Sequence, residues 1–213
     1  RLDEGYRIFI TGSNASMLSK ELGTKLTGRH ITKELFPFSY SEYLEITGQK
    51  SGVPSSLKYM KSGGFPEYLK TGLPEVLMNA FNDIIVRDIA IRYNLKNSLV
   101  LQQLAVWMVS NIGKPITGNS LRKIFQISSS SSMMDYLSYF VDAYLFFLVP
   151  KFSYSHKVQL VNAKKIYCID NGFVEINSVS FNEDNGRLLE NMVFMHLRRQ
   201  TPEIYYFSDK KEC

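Results

Sequence analysis

The arrangement of the chain is clearest in residues 99–152, LVLQQLAVWMVSNIGKPITGNSLRKIFQISSSSSMMDYLSYFVDAYLFFLVPKF. Apolar residues at helical spacing predict a helix over residues 99–112, a short helix over 121–125 and a longer helix after a serine run that ends at Ser132. Residues 145–152 have the apolar and aromatic composition of a strand. This stretch therefore predicts three helices followed by a strand.

The apolar runs that follow complete this pattern. Residues 158–161 and 166–169 are short and apolar, and Asn-Ala-Lys separates them at residues 162–164, so we expect them to pair as a β-hairpin. A helix, a short helix, a tight turn, a longer helix and a hairpin occur in the order of a winged helix-turn-helix. A mostly α, mixed fold is predicted.

Composition narrows the class of protein. Of 213 residues, 45% are hydrophobic and 21% charged, which is ordinary for a soluble globular protein. The net charge of +5 permits an anionic partner without requiring one. Cys168 and Cys213 are too few for a disulfide framework, and the most apolar run, residues 140–150, is too short for a bilayer and carries Asp142. We expect a cytoplasmic protein with no membrane partner.

The N-terminal residues have the pattern of one βα unit. Residues 7–29, RIFITGSNASMLSKELGTKLTGR, run from an apolar stretch through a polar turn into an amphipathic helix and a basic loop. A strand is predicted over residues 6–11, and Ser13 and Asn14 are suitable N-caps for the helix. Residues 30–36 are predicted to form another short strand.

Helical patterns fill much of the remaining sequence. Helices are predicted over residues 38–48, 55–62 and 73–95, and Gly-Gly-Phe-Pro at 63–66 forms a hard break between them.

Three further elements are predicted near the C-terminus. Residues 170–172, Asp-Asn-Gly, suggest a turn. The helix predicted over residues 186–199 has apolar residues on two faces, which indicates burial on both. Residues 203–207 are predicted to form a strand.

Four motifs resemble those of a known family. They are TGSNA at residues 11–15, LTGR at 26–29, GGFP at 63–66 and GRLLEN at 186–191. In this order they resemble a group of prokaryotic AAA+-type ATPases in which a winged helix and a restriction-endonuclease-like domain follow the ATPase core. The resemblance covers essentially the whole chain.

The resemblance implies four parts. They are the C-terminal part of an α/β ATPase core (1–37), a helical lid (38–78), a winged helix domain (79–161) and the start of a nuclease-like α/β domain (162–213). Since the sequence has no initiator Met and no G-x-x-x-x-G-K-[ST] loop, we expect a C-terminal piece of a longer protein. In that intact protein ATP and Mg²⁺ would be bound through an N-terminal part. The piece itself is expected to hold no cofactor and to hydrolyse no ATP.

The first candidate site follows from the N-terminal motifs. Thr11, Ser13 and Asn14 would lie at the C-terminal edge of a parallel strand, where such sheets bind ligands. The resemblance implies that Ser13 or Asn14 senses the γ-phosphate and that Arg29 acts as a finger on a neighbouring subunit's nucleotide. The alternatives are plain helix capping and a solvated loop arginine.

The Gly-Gly-Phe-Pro motif gives a second candidate. By resemblance, Gly64 would let the backbone approach the nucleotide and Pro66 would contact adenine. The alternative is a helix break with proline in the first helical turn.

A third candidate is a DNA surface on the winged helix. Arg122, Lys123, Lys164 and Lys165 supply positive charge around this unit. The predicted recognition helix itself has no Arg or Lys and carries acidic residues, which argues against base reading. A protein-binding winged helix is therefore an open alternative.

Glu190 is the fourth candidate, because it lies between two apolar faces of the predicted helix. By resemblance it would be the first acid of a nuclease-like site, and Asp209 and Glu212 could join it in holding Mg²⁺. The alternative is an ion pair with Arg187 or Arg198.

Three functions are consistent with these residues. The first is an ATPase piece that couples nucleotide state to the winged helix and the nuclease-like domain, as part of a possible homo-oligomer. The second is a non-enzymatic winged-helix protein that binds DNA or regulates a partner. The third is a module that binds another protein.

Overall fold

A computed structural model describes residues 9–12, 31–95, 97–179 and 184–208. The predicted site residues Ser13, Asn14, Arg29, Asp209 and Glu212 lie outside these ranges. Within them the helices are α1 (Tyr40–Thr47), α2 (Val53–Ser62), α3 (Pro66–Thr71), α4 (Pro74–Asp83), a π-helical segment (Ile84–Ile91), α5 (Ser98–Val109), α6 (Gly118–Ile124), α7 (Ser130–Asp142), α8 (His156–Val161), α9 (Asn171–Asn177) and α10 (Asn185–Arg198). The strands are β1 (Pro115–Ile116), β2 (Phe146–Pro150) and β3 (Lys164–Cys168). The fold is mixed and mostly α, as predicted.

Local signals position the N-terminal helices. Ser39 caps α1 in a capping box with Glu42, and Gly48 ends this helix in a left-handed conformation with a φ of 66°. The helices α2, α3 and α4 each have proline within their first two positions, where no intrahelical N–H is needed. The predicted helices of this region are confirmed. The long one continues from α4 directly into the π-helical segment.

The sheet is antiparallel, with the strand order β1-β3-β2. Phe146 pairs with Cys168 and Pro150 pairs with Lys164. The predicted hairpin between residues 158–161 and 166–169 is wrong, because the first of these runs lies in α8 and β3 pairs with β2 instead. A four-residue apolar run cannot be assigned to a strand or a helix by its periodicity alone.

One apolar core joins most of the elements. Its fully buried side chains include Leu77 of α4, Met108 of α5, Phe140 of α7, Phe146 of β2 and Phe173 of α9. The same cluster extends from Met60 to Met195. It therefore contains residues from both sides of the boundaries after positions 78 and 161, where the resemblance divides the chain.

The helix α10 differs from its prediction. Leu188, Phe194 and Met195 enter the core, whereas Leu189 and Val193 are each 48% exposed. The prediction that both faces are buried is therefore wrong for the described residues, because the core covers only one face of this helix. No helix among these residues has the length and apolar character to cross a membrane.

The remaining predicted strands are not formed in the described part of the chain. Residues 9–11 and 31–36 have no regular secondary structure. Of residues 203–207, only Tyr206 forms a bridge, parallel to Lys151 beyond the end of β2. A strand is stable only when neighbours pair with its backbone, and these residues have at most one such partner here.

Candidate functional site

A buried carboxylate, Asp170, joins two segments that are far apart in the sequence. The N–H groups of Gly64 and Gly172 donate to its two oxygens at 2.7 and 2.8 Å. Gly63 has a φ of 68°, and a Cβ placed there would lie 1.9 Å from Oδ1 of Asp170. Asp170 is the N-cap of α9, which begins at Asn171, so the turn predicted over residues 170–172 is wrong.

Gly64 is enclosed from its other side by the segment before α1. The N–H of Phe38 donates to the carbonyl oxygen of Gly64 at 2.7 Å, and a Cβ on Gly64 would lie 2.0 Å from the carbonyl oxygen of Phe38. That Phe38 oxygen also accepts a hydrogen bond of 2.7 Å from the hydroxyl of Tyr59. Both backbone groups of Gly64 are thus engaged within the protein, while Pro66 is exposed in the first turn of α3.

Two buried asparagines extend this contact into the core. The amide of Asn171 donates to the carbonyl oxygens of Met60 and Leu188 at 2.7 and 2.8 Å. Asn191 donates to the side-chain oxygen of Asn171 and bonds both backbone groups of Cys168. We call Gly63, Gly64, Asp170, Asn171 and Asn191 the polar junction. It ties α2, α9, α10 and β3 together.

The electrostatics of the polar junction follow from burial. Burial raises the pKa of Asp170 to about 6, although the two N–H donors and Arg199 act in the opposite direction. Burial also raises the pKa of Tyr59 and of the Cys168 thiol to about 12 each. The adjoining cavity, between Tyr59, Asp170, Met192 and Arg199, measures only about 20 Å³. It has room for about one water molecule and none for a nucleotide.

A second carboxylate, Glu34, makes a different connection. Both terminal nitrogens of Arg198 donate to Glu34 at 2.8 and 2.9 Å, and the hydroxyl of Tyr144 donates at 2.7 Å. Bidentate arginine–carboxylate pairs combine charge with fixed geometry. Arg198 lowers the pKa of Glu34 through these bonds. Tyr144 has a φ of 58°, a left-handed conformation that non-glycine residues seldom adopt.

The residues next to Glu34 strengthen this connection. The Phe36 ring lies 5.3 Å from the guanidinium of Arg198 and 5.5 Å from that of Arg199. Arg199 also donates a hydrogen bond to the carbonyl oxygen of Pro37. We call Glu34, Phe36, Tyr144, Arg198 and Arg199 the clamp. It holds the segment before α1 against the end of α10.

Glu190 forms part of a third cluster. Lys165 lies 2.8 Å from Oε1 of Glu190, and the hydroxyl of Tyr167 donates to the same oxygen at 2.6 Å. The expected arginine partners are wrong, because Arg187 pairs with Asp184 and Arg198 with Glu34. No group of three His, Cys, Asp or Glu residues that could hold a metal occurs in the described ranges. Asp209 and Glu212 lie outside them.

The four basic residues predicted for DNA contact lie in different environments. Lys123 is exposed and Lys164 is half-buried. Arg122 is half-buried, and its Nε has no hydrogen-bond partner in the described part of the chain. The Lys165 side chain is 7% exposed and paired with Glu190. Thr11 is exposed, and the structure brings it together with none of these groups among the described residues.

The sequence did not identify the polar junction or the clamp as sites. Two signals were available for the junction. An Asx residue before an apolar stretch is a helix N-cap signal that could have identified Asp170. Asn191, an amide among the apolar residues of α10, indicates a buried hydrogen bond. Nothing near Glu34 points to Arg198, which lies 164 residues away.

Comparison with known families shows two matches. Residues 54–180, more than half of the chain, match the model described as "Domain of unknown function (DUF8612)". The chain belongs to the DUF8612 family. The DUF8612 match includes Gly63, Gly64, Asp170 and Asn171 of the polar junction. Residues 1–44 match a model described as "AAA domain", which relates this segment to AAA-type ATPases.

Two relatives of this DUF8612 protein are described as uncharacterized proteins. A protein of Methanocaldococcus jannaschii is 35% identical over 217 residues, covering 93% of this chain and 48% of the relative. A protein of Haemophilus influenzae is 29% identical over 204 residues, covering 91% and 51% respectively. The chain thus spans about half the length of the curated relatives it matches. No solved structure matches it.

Proposed function

We propose that this chain is part of an AAA-type ATPase, and that the clamp couples the nucleotide state of the ATPase core to the rest of the protein. One observation carries the proposal. The AAA match covers residues 1–44, and its last residues include Glu34 and Phe36, which are held by Arg198 and Arg199 at the end of α10.

The clamp suits a coupling role because of where its partners lie. Tyr144 stands just before β2, Arg198 is the last residue of α10, and Arg199 follows it as the C-cap. A displacement of residues 31–39 would therefore act on the sheet and on α10 together. Allosteric coupling needs an element with two arrangements that differ in contacts, and engaged and released clamps are two such arrangements.

The proposed nucleotide chemistry lies in the N-terminal segment. Ser13 or Asn14 would orient the attacking water beside the γ-phosphate, and Arg29 would neutralise charge on a neighbouring subunit's nucleotide. ATP and Mg²⁺ would be bound by a phosphate-binding loop that these 213 residues lack. The polar junction would then be structural, because Gly64 is already bonded on both sides.

The proposed effector region has two parts. Residues 98–168 run α5, β1, α6, α7, β2, α8, β3 with the strand order β1-β3-β2, which supports a winged helix. Glu190 would be the first acid of a nuclease-like domain, although its present partner, Lys165, would have to be displaced before it could bind Mg²⁺.

The gene sequence upstream of Arg1 gives the first test. We expect a G-x-x-x-x-G-K-[ST] loop, followed by an apolar strand ending in acids, within about a hundred residues. An open reading frame without this loop would refute the ATPase proposal.

Matched variants give the second test. In the protein encoded by the complete gene, Arg198→Gln breaks the clamp. Arg187 lies on the same helix as Arg198, and Arg187→Gln breaks only its pair with Asp184. We expect Arg198→Gln to remove the effect of ATP on protease sensitivity around α10 and Arg187→Gln to leave it intact. Equal behaviour of the two variants would contradict coupling through the clamp.

A non-enzymatic, DNA-binding winged helix is the second candidate. The observation in its favour is charge, because residues 114–168 carry seven Lys and Arg against two Asp and no Glu. Affinity for duplex DNA, measured against salt, tests it. Several phosphate contacts require a steep negative slope of log affinity against log salt concentration, and a slope near zero excludes them.

A further inference from the structure

An apolar groove lies between α6, α7, α8 and the sheet. It encloses about 270 Å³ and is lined by six apolar residues: Ile116, Met134, Leu137, Leu148, Leu160 and Val161. Its rim is polar and includes Asn119, Ser130, Asn162 and Lys164. We call this feature the α7–α8 groove.

One wall of the groove is fixed by contacts between α6 and α7, and its edge on α8 is apolar and exposed. The hydroxyl of Ser130 donates to Asn119 at 2.8 Å, which links the first turns of α6 and α7. A Cβ on Gly118 would lie 2.9 Å from the Met134 sulfur, so the absence of a side chain there lets Met134 lie against α6. Leu160 and Val161 of α8 are 67% and 73% exposed. Adjacent exposed apolar side chains around a concavity are typical of interaction sites.

Basic residues outnumber acidic residues in the segment that forms the groove. Lys164 lies on its rim. Residues 114–168 carry seven Lys and Arg against two Asp, and four more positive than negative charges remain when Lys165, which is paired with Glu190, is left out. Of the two acids, Asp142 accepts a hydrogen bond from Tyr93 at 3.2 Å. Lys123 stands near the end of α6, roughly 6 Å along the helix axis from Asn119 by the helical rise. This field favours an acidic partner.

We propose that the α7–α8 groove is a docking site for an acidic protein segment that inserts apolar side chains between α7 and α8. The volume is slightly below that of small-ligand pockets, which begin near about 300 Å³, and suits one or two side chains of an amphipathic helix. Thioether groups such as that of Met134 are common at surfaces that bind such helices. The proposal does not depend on the ATPase assignment.

DNA fits this groove less well. Base edges and phosphates are bound by hydrogen-bond donors, above all those of Arg and Lys. The helix α7 contains neither residue, and its face toward the groove presents Met134 and Leu137. Burying these apolar groups favours apolar side chains of a protein segment.

Fluorescence anisotropy with two labelled peptides tests the proposal on the 213-residue chain. One peptide has leucines at helical spacing between glutamates, and the other has lysines in place of the glutamates. We expect the acidic peptide to bind and the basic peptide to bind at least about tenfold more weakly, a difference of about 1.4 kcal/mol. Failure of the acidic peptide to bind, or equal binding of both, would overturn the proposal.

Two variants locate the binding. Leu160→Asp puts a charge at the groove edge, and Ile91→Asp, at a position 69% exposed on the π-helical segment, is the matched control. Leu160→Asp should lower the affinity for the acidic peptide at least about tenfold, and Ile91→Asp should leave that affinity unchanged. Both sites are exposed, and circular dichroism checks folding; Val161→Asp replaces Leu160→Asp if that variant misfolds. An equal loss of peptide affinity in both variants would overturn the assignment. So would duplex DNA that competes with the peptide and no longer binds the Leu160→Asp variant.

Discussion

Asp170 and Glu34 perform the same task in two different ways. Each carboxylate joins segments that lie more than a hundred residues apart. Asp170 is 4% exposed and accepts its hydrogen bonds from backbone N–H groups of Gly64 and Gly172. The Glu34 side chain is 34% exposed and accepts its bonds from the side chains of Arg198 and Tyr144.

The difference indicates which connection can open. Breaking the polar junction would leave buried donors and acceptors without partners, at about 1–3 kcal/mol for each group. Breaking the clamp would return Glu34 to water at the surface, which costs much less. We therefore interpret the junction as a permanent join and the clamp as a releasable one.

The largest expected effect comes from filling the junction. Gly64→Ala places a Cβ 2.0 Å from the backbone oxygen of Phe38, whereas Gly72→Ala meets nothing within 4 Å and only strains a φ of 69°. We expect Gly64→Ala to cost about 4 kcal/mol of unfolding free energy or to prevent folding, and Gly72→Ala to cost about 1 kcal/mol. Urea denaturation measures both. Similar midpoints would show that the junction is not tightly packed.

The next prediction concerns pH, because Asp170 and Glu34 should contribute to stability with opposite pH dependence. Because the pKa of Asp170 is raised from 3.8 to about 6, the native state binds the proton of the Asp170 carboxyl group more tightly than the unfolded chain does. The contribution of Asp170 to stability therefore falls as the pH rises from about 4 to 6, by at most about 3 kcal/mol. A carboxyl ¹³C titration, assigned with Asp170→Asn, should have a midpoint near the raised value.

Glu34 should titrate in the opposite sense. Its pKa is lowered by Arg198, so the stability that it contributes is present above its ordinary pKa of 4.5 and is lost as the pH falls. The same spectra report both groups. Midpoints displaced in the same direction would break the distinction between the junction and the clamp.

A smaller effect on stability comes from breaking the clamp itself. Glu34→Gln should cost only about 1 kcal/mol, as for other partly exposed ion pairs. Protease cleavage near residues 31–36 should nevertheless rise, because this segment has no regular secondary structure to hold it. Glu45→Gln, an exposed position on α1, is the control. Unchanged cleavage in Glu34→Gln would mean that other contacts hold the segment.

The sequence predicted the local structure well, and physical reasons explain this. The helices start and end at residues that act locally, such as the Ser39–Glu42 capping box and the proline at the start of α3. The partner of β3 could not be predicted in this way. Whether β3 pairs with β2 or with residues 158–161, which lie in α8, depends on how much apolar surface each pairing buries.

The candidate sites were harder to predict for the same reason. Gly64 was expected to let the backbone approach a nucleotide. In the structure the backbone of Phe38 lies against Gly64, and the N–H of Gly64 donates to Asp170, 106 residues away. Glu190 was correctly expected to need a partner, but Lys165 on β3 fills that place instead of an arginine of α10. Sequence chemistry thus indicated that these residues need partners, and only the three-dimensional structure identified those partners.

Hydrogen exchange of residues 31–36 in the protein encoded by the complete gene tests the central claim most directly. The exchange is measured with and without ATP and Mg²⁺, in the wild type and in Arg198→Gln. Coupling through the clamp predicts that the protection of these amides changes with nucleotide in the wild type and is low in both states of Arg198→Gln. Identical protection with and without bound ATP in the wild type would contradict it.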